Sequence, residues 1–384
     1  MITPFGILGY CSNIHPGEKW EEHFAELQNL VPKVKAMVCP NQPFGIGLRI
    51  ANQASIDLME SPSLIQELQH WLTKEQLFVY TINGFPYGGF HQTKVKDQVH
   101  APDWTTRERV DYTKRLAQIL IQLLPKEIET AGISTSPLSY KFWWNESNLE
   151  TAFQQSTAHI QEIAHYFAEI KKETGKSIHL DIEPEPDGLL GNHQEFVDWY
   201  QHQLLENSSE GLVKEHIQIC FDVCHYGVSF DEIETSLNQL KSLGIQVGKI
   251  QISSALKVKL GETAAKQLET LKLYKEPVYL HQVRAKKKDK IEAFGDLDEA
   301  LEQLDSSFSE ARVHFHVPIF SSTYGNIEST QEEIVKSLNY QKLHGISKQL
   351  EIETYTWGVL PQEYQRPIEE SIAREVNWVL KQLD

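Results

Sequence analysis

The stretch CFDVCHYGVSFD (residues 220–231) gathers two cysteines, an aspartate and a histidine within six positions. Two chemistries are open to it: a thiol site on Cys220 and Cys224, or a carboxylate–imidazole metal site on Asp222 and His225. The cysteines lie four residues apart on one face of a candidate strand, too far separated for a disulfide. They also lack the CxxC spacing of redox and zinc sites. Both are therefore read as structural, Cys220 as a small filler below a site and Cys224 as its neighbour. That leaves Asp222 and His225 to carry the chemistry.

Other candidate strands supply matching groups. Side chains alternate along a strand, so each segment divides into two faces. In 177–184, Ile178, Leu180 and Ile182 oppose His179, Asp181 and Glu183. In 217–224, Ile217, Ile219, Phe221 and Val223 oppose Gln218, Cys220, Asp222 and Cys224. Segment 248–254 sets Ile250 and Ile252 against Gln251 and Ser253. Val313, Phe315 and Val317 oppose His314 and His316 in 312–317, and Leu350 and Ile352 oppose Glu351 and Glu353 in 349–357. Strands covered by helices normally read as continuous apolar runs. Polar groups turned into such a core are costly unless hydrogen-bonded or bound to a metal.

The elements that must position these groups follow from periodicity. Strand candidates at 5–10, 44–50, 76–84, 132–136, 177–184, 217–224, 248–254, 277–283, 312–320 and 349–357 alternate with amphipathic runs such as 20–37, 104–125 and 148–175. Strand–helix alternation predicts a parallel sheet with helices outside. The expected fold is α/β, a (β/α)8 TIM barrel. Ten strand candidates exceed the eight of a closed barrel, so 256–312 is read as an inserted excursion after the seventh strand. Residues 361–384 are read as a C-terminal helix, and 1–384 as a single domain. Barrel active sites lie at strand C-terminal ends. The inward candidates there are Glu183, Asp222, Gln251, His316 and Glu353, with His225 just beyond its strand and His281 on the excursion. Mixed carboxylate and imidazole ligands suit Mn²⁺, Zn²⁺, Fe²⁺ or Co²⁺ better than Ca²⁺.

Glu183 in LDIEP, Asp222-x-x-His225 in FDVCH and Glu353 in LEIET resemble the xylose isomerase-like TIM barrel superfamily of sugar isomerases, epimerases, inosose dehydratases and apurinic-site endonucleases. FDVCH is also similar to the Asp-Thr-Cys-His signature of the nuclease branch. GYCSNIHPGEKW (9–20), NGFPYGGFH (83–91) and HFHVPIF (314–320) resemble the EboE-type metabolite-traffic proteins. The resemblance covers residues 5–360. It implies a divalent metal held by Glu183, Asp222, a strand-seven ligand and Glu353. It also implies Glu183 and Glu353 as a proton-transferring pair around an enediolate-like intermediate, with His225 on substrate oxygen or a second metal. Here the pattern departs from the superfamily, because its usual strand-seven histidine is Gln251. His316, or else His281, is expected to compensate.

Further rim candidates for substrate are Arg284, His15, Asn83 and His91, with Tyr87 and the aromatic cluster YKFWWNE (140–146) beside them. The bland alternatives are a rim salt-bridge role for Glu183 and Glu353, and a satisfied core position for His316. The charge balance, 36 Lys+Arg against 53 Asp+Glu, gives a net of −17 that repels a nucleic-acid backbone. The basic run RAKKKDK (284–290) reads as a solvated loop. No apolar run reaches the length of a membrane span, and four cysteines without a framework, together with no signal-peptide pattern, predict a cytoplasmic protein. Three functions are carried forward. The first is a metal-dependent isomerase or epimerase acting on a small polyol or sugar-like metabolite. The second is a metabolite-binding or traffic protein that keeps the metal without turnover, and the third is a phosphodiester hydrolase. Self-association as a homo-oligomer is left open.

Overall fold

The computed structural model describes residues 1–89, 95–206 and 208–384. Eight parallel strands form the barrel: Gly6–Tyr10, Phe44–Arg49, Leu77–Asn83, Thr130–Thr135, Ser177–Ile182, Ile217–Asp222, Val247–Ile252 and Gln349–Ile352. From the second strand to the seventh each pairs in parallel with the next, with register shifts after Ile46 and Ile219, and the eighth strand pairs with both the seventh and the first. The ring is brought to closure by a parallel bridge between Cys11 and Gly47. The α/β barrel expected from strand–helix alternation is the observed architecture.

The helices outside follow from their apolar spacing. Trp20–Val38 buries Trp20, Phe24, Leu27, Val31 and Val34, one stripe at helical period. The long Leu149–Thr174 stops at Gly175, whose φ of 75° is the left-handed cap that glycine adopts without a Cβ penalty. The C-terminal helix, Ile368–Leu383, buries Ile372, Val376 and Val379 against the barrel core.

The excursion is longer and more regular than its sequence predicts. A second, antiparallel six-stranded sheet runs from Leu256 to Ser329, past the expected limit at 312. It has its own apolar core, including Leu256, Val258, Val283, Phe294, Phe315 and Val317. Two predicted strands are shorter than expected. In 277–283 the ladder begins only at Val283, because the Glu276 carboxylate takes the backbone N–H groups of Val278 and Tyr279 at 2.7 and 2.8 Å. In 312–320 the strand is Glu310–Val313, and the residues after it leave the ladder before Pro318, which has no N–H to donate. Alternation survives this departure: Phe315 and Val317 enter the second core, while His314 and His316 face a cavity at the C-terminal end of the barrel.

Candidate functional site

Below the cavity the barrel interior is ionic rather than oily. Lys249 Nζ donates to Glu351 Oε2 at 2.8 Å and to Ser134 Oγ at 3.0 Å, and His179 Nδ1 meets Asp181 Oδ1 at 2.6 Å. All of these side chains are buried. Glycines on facing strands make the room. A Cβ at Gly47 would stand 1.5 Å from Glu351 Oε1, and one at Gly248 would stand 1.9 Å from Asp181 Oδ1.

One layer higher, the strand ends deliver the ligand candidates. Glu183 follows the fifth strand, Asp222 ends the sixth and Glu353 follows the eighth. One oxygen from each lies within 4.8 Å of the others. Asp222 is also the N-cap of the single-turn helix Val223–Val228, where its Oδ1 accepts from the His225 backbone N–H at 3.1 Å. Ser253 Oγ donates to the same oxygen at 2.7 Å. The Asp-x-x-His spacing thus has a local cause: the cap that starts the helix swings His225 back over the aspartate. The other oxygen, Asp222 Oδ2, is buried with no hydrogen-bond partner among the described residues.

Three histidines converge beside these carboxylates. His225 Nδ1 donates to Pro184 O at 2.9 Å, His314 Nδ1 to Gln282 Oε1 at 2.7 Å and His316 Nδ1 to Glu353 O at 2.9 Å. The Gln282 amide is oriented by its own donation to Pro186 O at 2.9 Å, so its oxygen is the atom facing His314. Each ring therefore carries its proton on Nδ1 and presents a lone pair at Nε2. These Nε2 atoms face one another, His225 to His314 at 3.1 Å and His314 to His316 at 3.3 Å. Burial opposes the extra proton that would let them hydrogen-bond. It lowers His225, pulls His314 well below the usual imidazole range and brings His316 to about 4.

Neutral imidazoles held by carbonyl acceptors, lone pairs inward, form the arrangement that ligates a cation. His225, His316 and Asp222 meet the spacing for a shared ion, as do Glu185, His225 and His314. Asp222 belongs both to a histidine group and to the Glu183–Asp222–Glu353 group. The nitrogen and oxygen donors, the orphaned Asp222 Oδ2 and the three unshared lone pairs all fit a divalent transition metal.

Electrostatics agree with that fit. Burial, then the charges of Glu353, Asp222 and Glu185, push Glu183 well above the carboxylate range. Burial and then Asp222 do the same to Glu353. Glu353 Oε1 accepts from Asn13 Nδ2 at 2.6 Å and from Asn83 Nδ2 at 3.2 Å, two bonds that favour its ionised form. Glu185 is raised to about 8, again first by burial.

Not every sequence candidate reaches the cavity. Gln251 is wholly buried, and its Oε1 receives the Cys220 thiol at 2.9 Å instead of facing the histidines. His281 uses Nδ1 on His314 O at 2.9 Å and Nε2 on Glu276 at 2.7 Å, so it supports His314 from behind. Arg284 pairs with Asp187 at 2.6 Å and ties the segment after Glu183 to the second sheet. His15 is buried against the Tyr10 hydroxyl at 2.9 Å and does not line the cavity. Asn83 does reach the site through Glu353, whereas Tyr87 packs on Tyr112. His91 lies outside the described residues. The YKFWWNE cluster packs locally, with Trp143 Nε1 on Asp97 and Tyr140 stacked on His100.

Four groups escaped the sequence reading as site residues: His314, Glu185, Asn13 and Gln282. Alternation did put His314 on the same face as His316. Glu185, two residues after Glu183 in the same loop, had a comparable signal. All four cysteines are free and buried, and Cys224 stands close to His314 and His316.

No family model matches the sequence, and no curated protein matches it. Similar solved structures include a 3-keto-D-glucoside 4-epimerase from E. coli, at 12% identity and TM-score 0.48, covering 97% of this chain and 98% of that one. The IolI protein with a bound zinc atom is 11% identical at TM-score 0.49, with 98% of each chain covered. A xylose isomerase domain-containing protein from Salmonella typhimurium is 11% identical at TM-score 0.44, covering 100% of this chain and 99% of that one. At such identities activity has to be argued from this chain's own residues. No described helix is long and apolar enough to cross a membrane.

Proposed function

We propose that the protein is a divalent-metal-dependent isomerase or epimerase that moves a proton on a small hydroxylated metabolite. The observation that carries the reading is the convergence of three tautomer-fixed imidazoles and three buried carboxylates on one cavity. A divalent ion held by Asp222, His225 and His316, by Glu185, His225 and His314, or by Glu183, Asp222 and Glu353 would supply Lewis acidity to adjacent substrate oxygens. With a cation bound, which would favour its ionised form, Glu353, oriented by Asn13 and Asn83, takes the proton from carbon. Glu183, held towards its neutral form by burial and neighbouring charge, returns one.

Elemental analysis of the purified protein, with and without supplied Mn²⁺ or Zn²⁺, tests the metal. Deuterium exchange from solvent into candidate polyols and ketoses, followed by NMR, tests the proton transfer. Exchange is expected with the native chain and lost in Glu353→Gln. A chain that takes up neither metal would overturn the proposal.

One observation favours a second reading, metabolite binding without turnover, as the EboE-type resemblance implies. The strand-seven position is a glutamine turned to Cys220, so one ligand typical of the isomerase pattern is missing. Bound ligand without any deuterium exchange would select this reading.

A further inference from the structure

We propose that the ligand of this site is an uncharged amphipathic molecule, with two adjacent oxygens at one end and a compact apolar body at the other. The oxygen end rests on the metal reading above; the apolar end rests on the cavity wall alone. The space between the lining side chains, its mouth to open solvent included, is about 590 Å³. Its polar lining is concentrated in the carboxylates and histidines already described. Most of the rest is Phe85, Pro86, Val95, Val99 and Leu280, side chains with no hydrogen-bonding atom, together with Tyr279 and Tyr355, which each add an aromatic ring and a hydroxyl.

A sugar or cyclitol with a hydroxyl on every carbon would have to bury some of them against this wall. Each hydroxyl taken from water without a partner is penalised, whereas a CH₂ in the same place gains from burial. The wall therefore selects for hydrocarbon or aromatic surface on the side of the ligand remote from the metal ligands. Charge is selected against as well. Lys96 is the one cation lining the cavity among the described residues, and its ammonium is committed elsewhere. It donates to Tyr279 O at 2.8 Å and to Asp296 Oδ2 at 2.7 Å. No other described residue of the lining carries an ammonium or guanidinium to receive a phosphate or carboxylate.

Ligand-observed NMR titration of the full chain with cis-1,2-cyclohexanediol and with myo-inositol tests this. Both present adjacent hydroxyls on a six-membered ring, and they differ in whether the remaining ring carbons carry hydroxyls. On the Zn²⁺-loaded protein the diol is expected to bind at least roughly tenfold more tightly. Leu280→Asn is expected to shrink that ratio, and Val99→Asn gives the same readout should the first variant not fold. Equal or tighter binding of myo-inositol overturns the inference, as does failure of both compounds to bind. The same titration on metal-stripped protein separates the two proposals. A diol preference of undiminished strength without metal keeps the apolar wall and sinks the metal reading instead.

Discussion

Gln282→Leu tests the logic of the site without touching a ligand. Gln282 is buried, and its Oε1 is the acceptor that holds the His314 proton on Nδ1. Leucine fills similar volume but accepts nothing, which leaves a buried N–H unpaired at a cost of about 1–3 kcal/mol. The neutral ring can escape that cost by moving its proton to Nε2, and it then has no lone pair to offer His225, His316 or a cation. Losing such an orienting partner costs about 10–100-fold in metal affinity, or roughly 1.4–2.7 kcal/mol. The assay is a competitive Zn²⁺ titration against a chromophoric chelator, with circular dichroism to establish that the variant folds. Metal-induced stabilisation at saturating Zn²⁺ should fall by the same amount, since it varies with the logarithm of the dissociation constant. Gln282→Glu supplies the contrast: its carboxylate still accepts from Nδ1, so affinity should exceed that of the leucine variant by about tenfold. A folded Gln282→Leu protein that binds Zn²⁺ like the native chain would refute the tautomer argument.

Three further outcomes follow from the interior. Lys249→Met strands the buried Glu351 carboxylate and should cost about 3–5 kcal/mol, whereas Lys249→Met with Glu351→Leu should recover much of it; equal losses in single and double variants, by urea denaturation, would contradict the pairing. Gly248→Ala puts a methyl 1.9 Å from Asp181 Oδ1 and should destabilise by roughly 1–3 kcal/mol or more, with no change in melting temperature as the contrary result. Glu375 is wholly buried with Thr354 and Ile319 as donors, and burial raises it from 4.5 to about 8. The folded chain thus keeps a proton that the unfolded chain releases. The group's contribution is fully present below pH 4.5 and is lost as pH rises through 8, by about 1.4 kcal/mol per unit. Glu375→Gln should match the native melting temperature near pH 4.5 and exceed it increasingly towards pH 8; a pH-independent difference would rule this out.

Much of the architecture is legible in the order of residues because the signals are local. A period of two marks which strand positions share a face, and a period near 3.6 marks the helices that cover them. The same alternation singles out Glu183, Asp222 and Glu353 as inward groups at strand ends, and the capping geometry of Asp222 explains why His225 stands three residues on. Alternation names a face, however, and not a partner. Gln251 is on the inward side, as expected, yet the nearest donor to its oxygen is a thiol, so it serves Cys220. His281 and Arg284 have the right chemistry, but Glu276 and Asp187 are closer to them than the cavity is.

The sequence by itself determined the barrel, its polar strand ends and the Asp222–His225 pair. Only the tertiary structure decided that His316, and not His281, reaches the cavity, and that His314 joins it in the histidine cluster. It also decided that the lock on each ring is a carbonyl from a different segment: Pro184, Gln282 and Glu353. Those choices depend on distances between segments far apart in the chain. Such distances are set by how two cores pack together, and no spacing along the sequence encodes them directly.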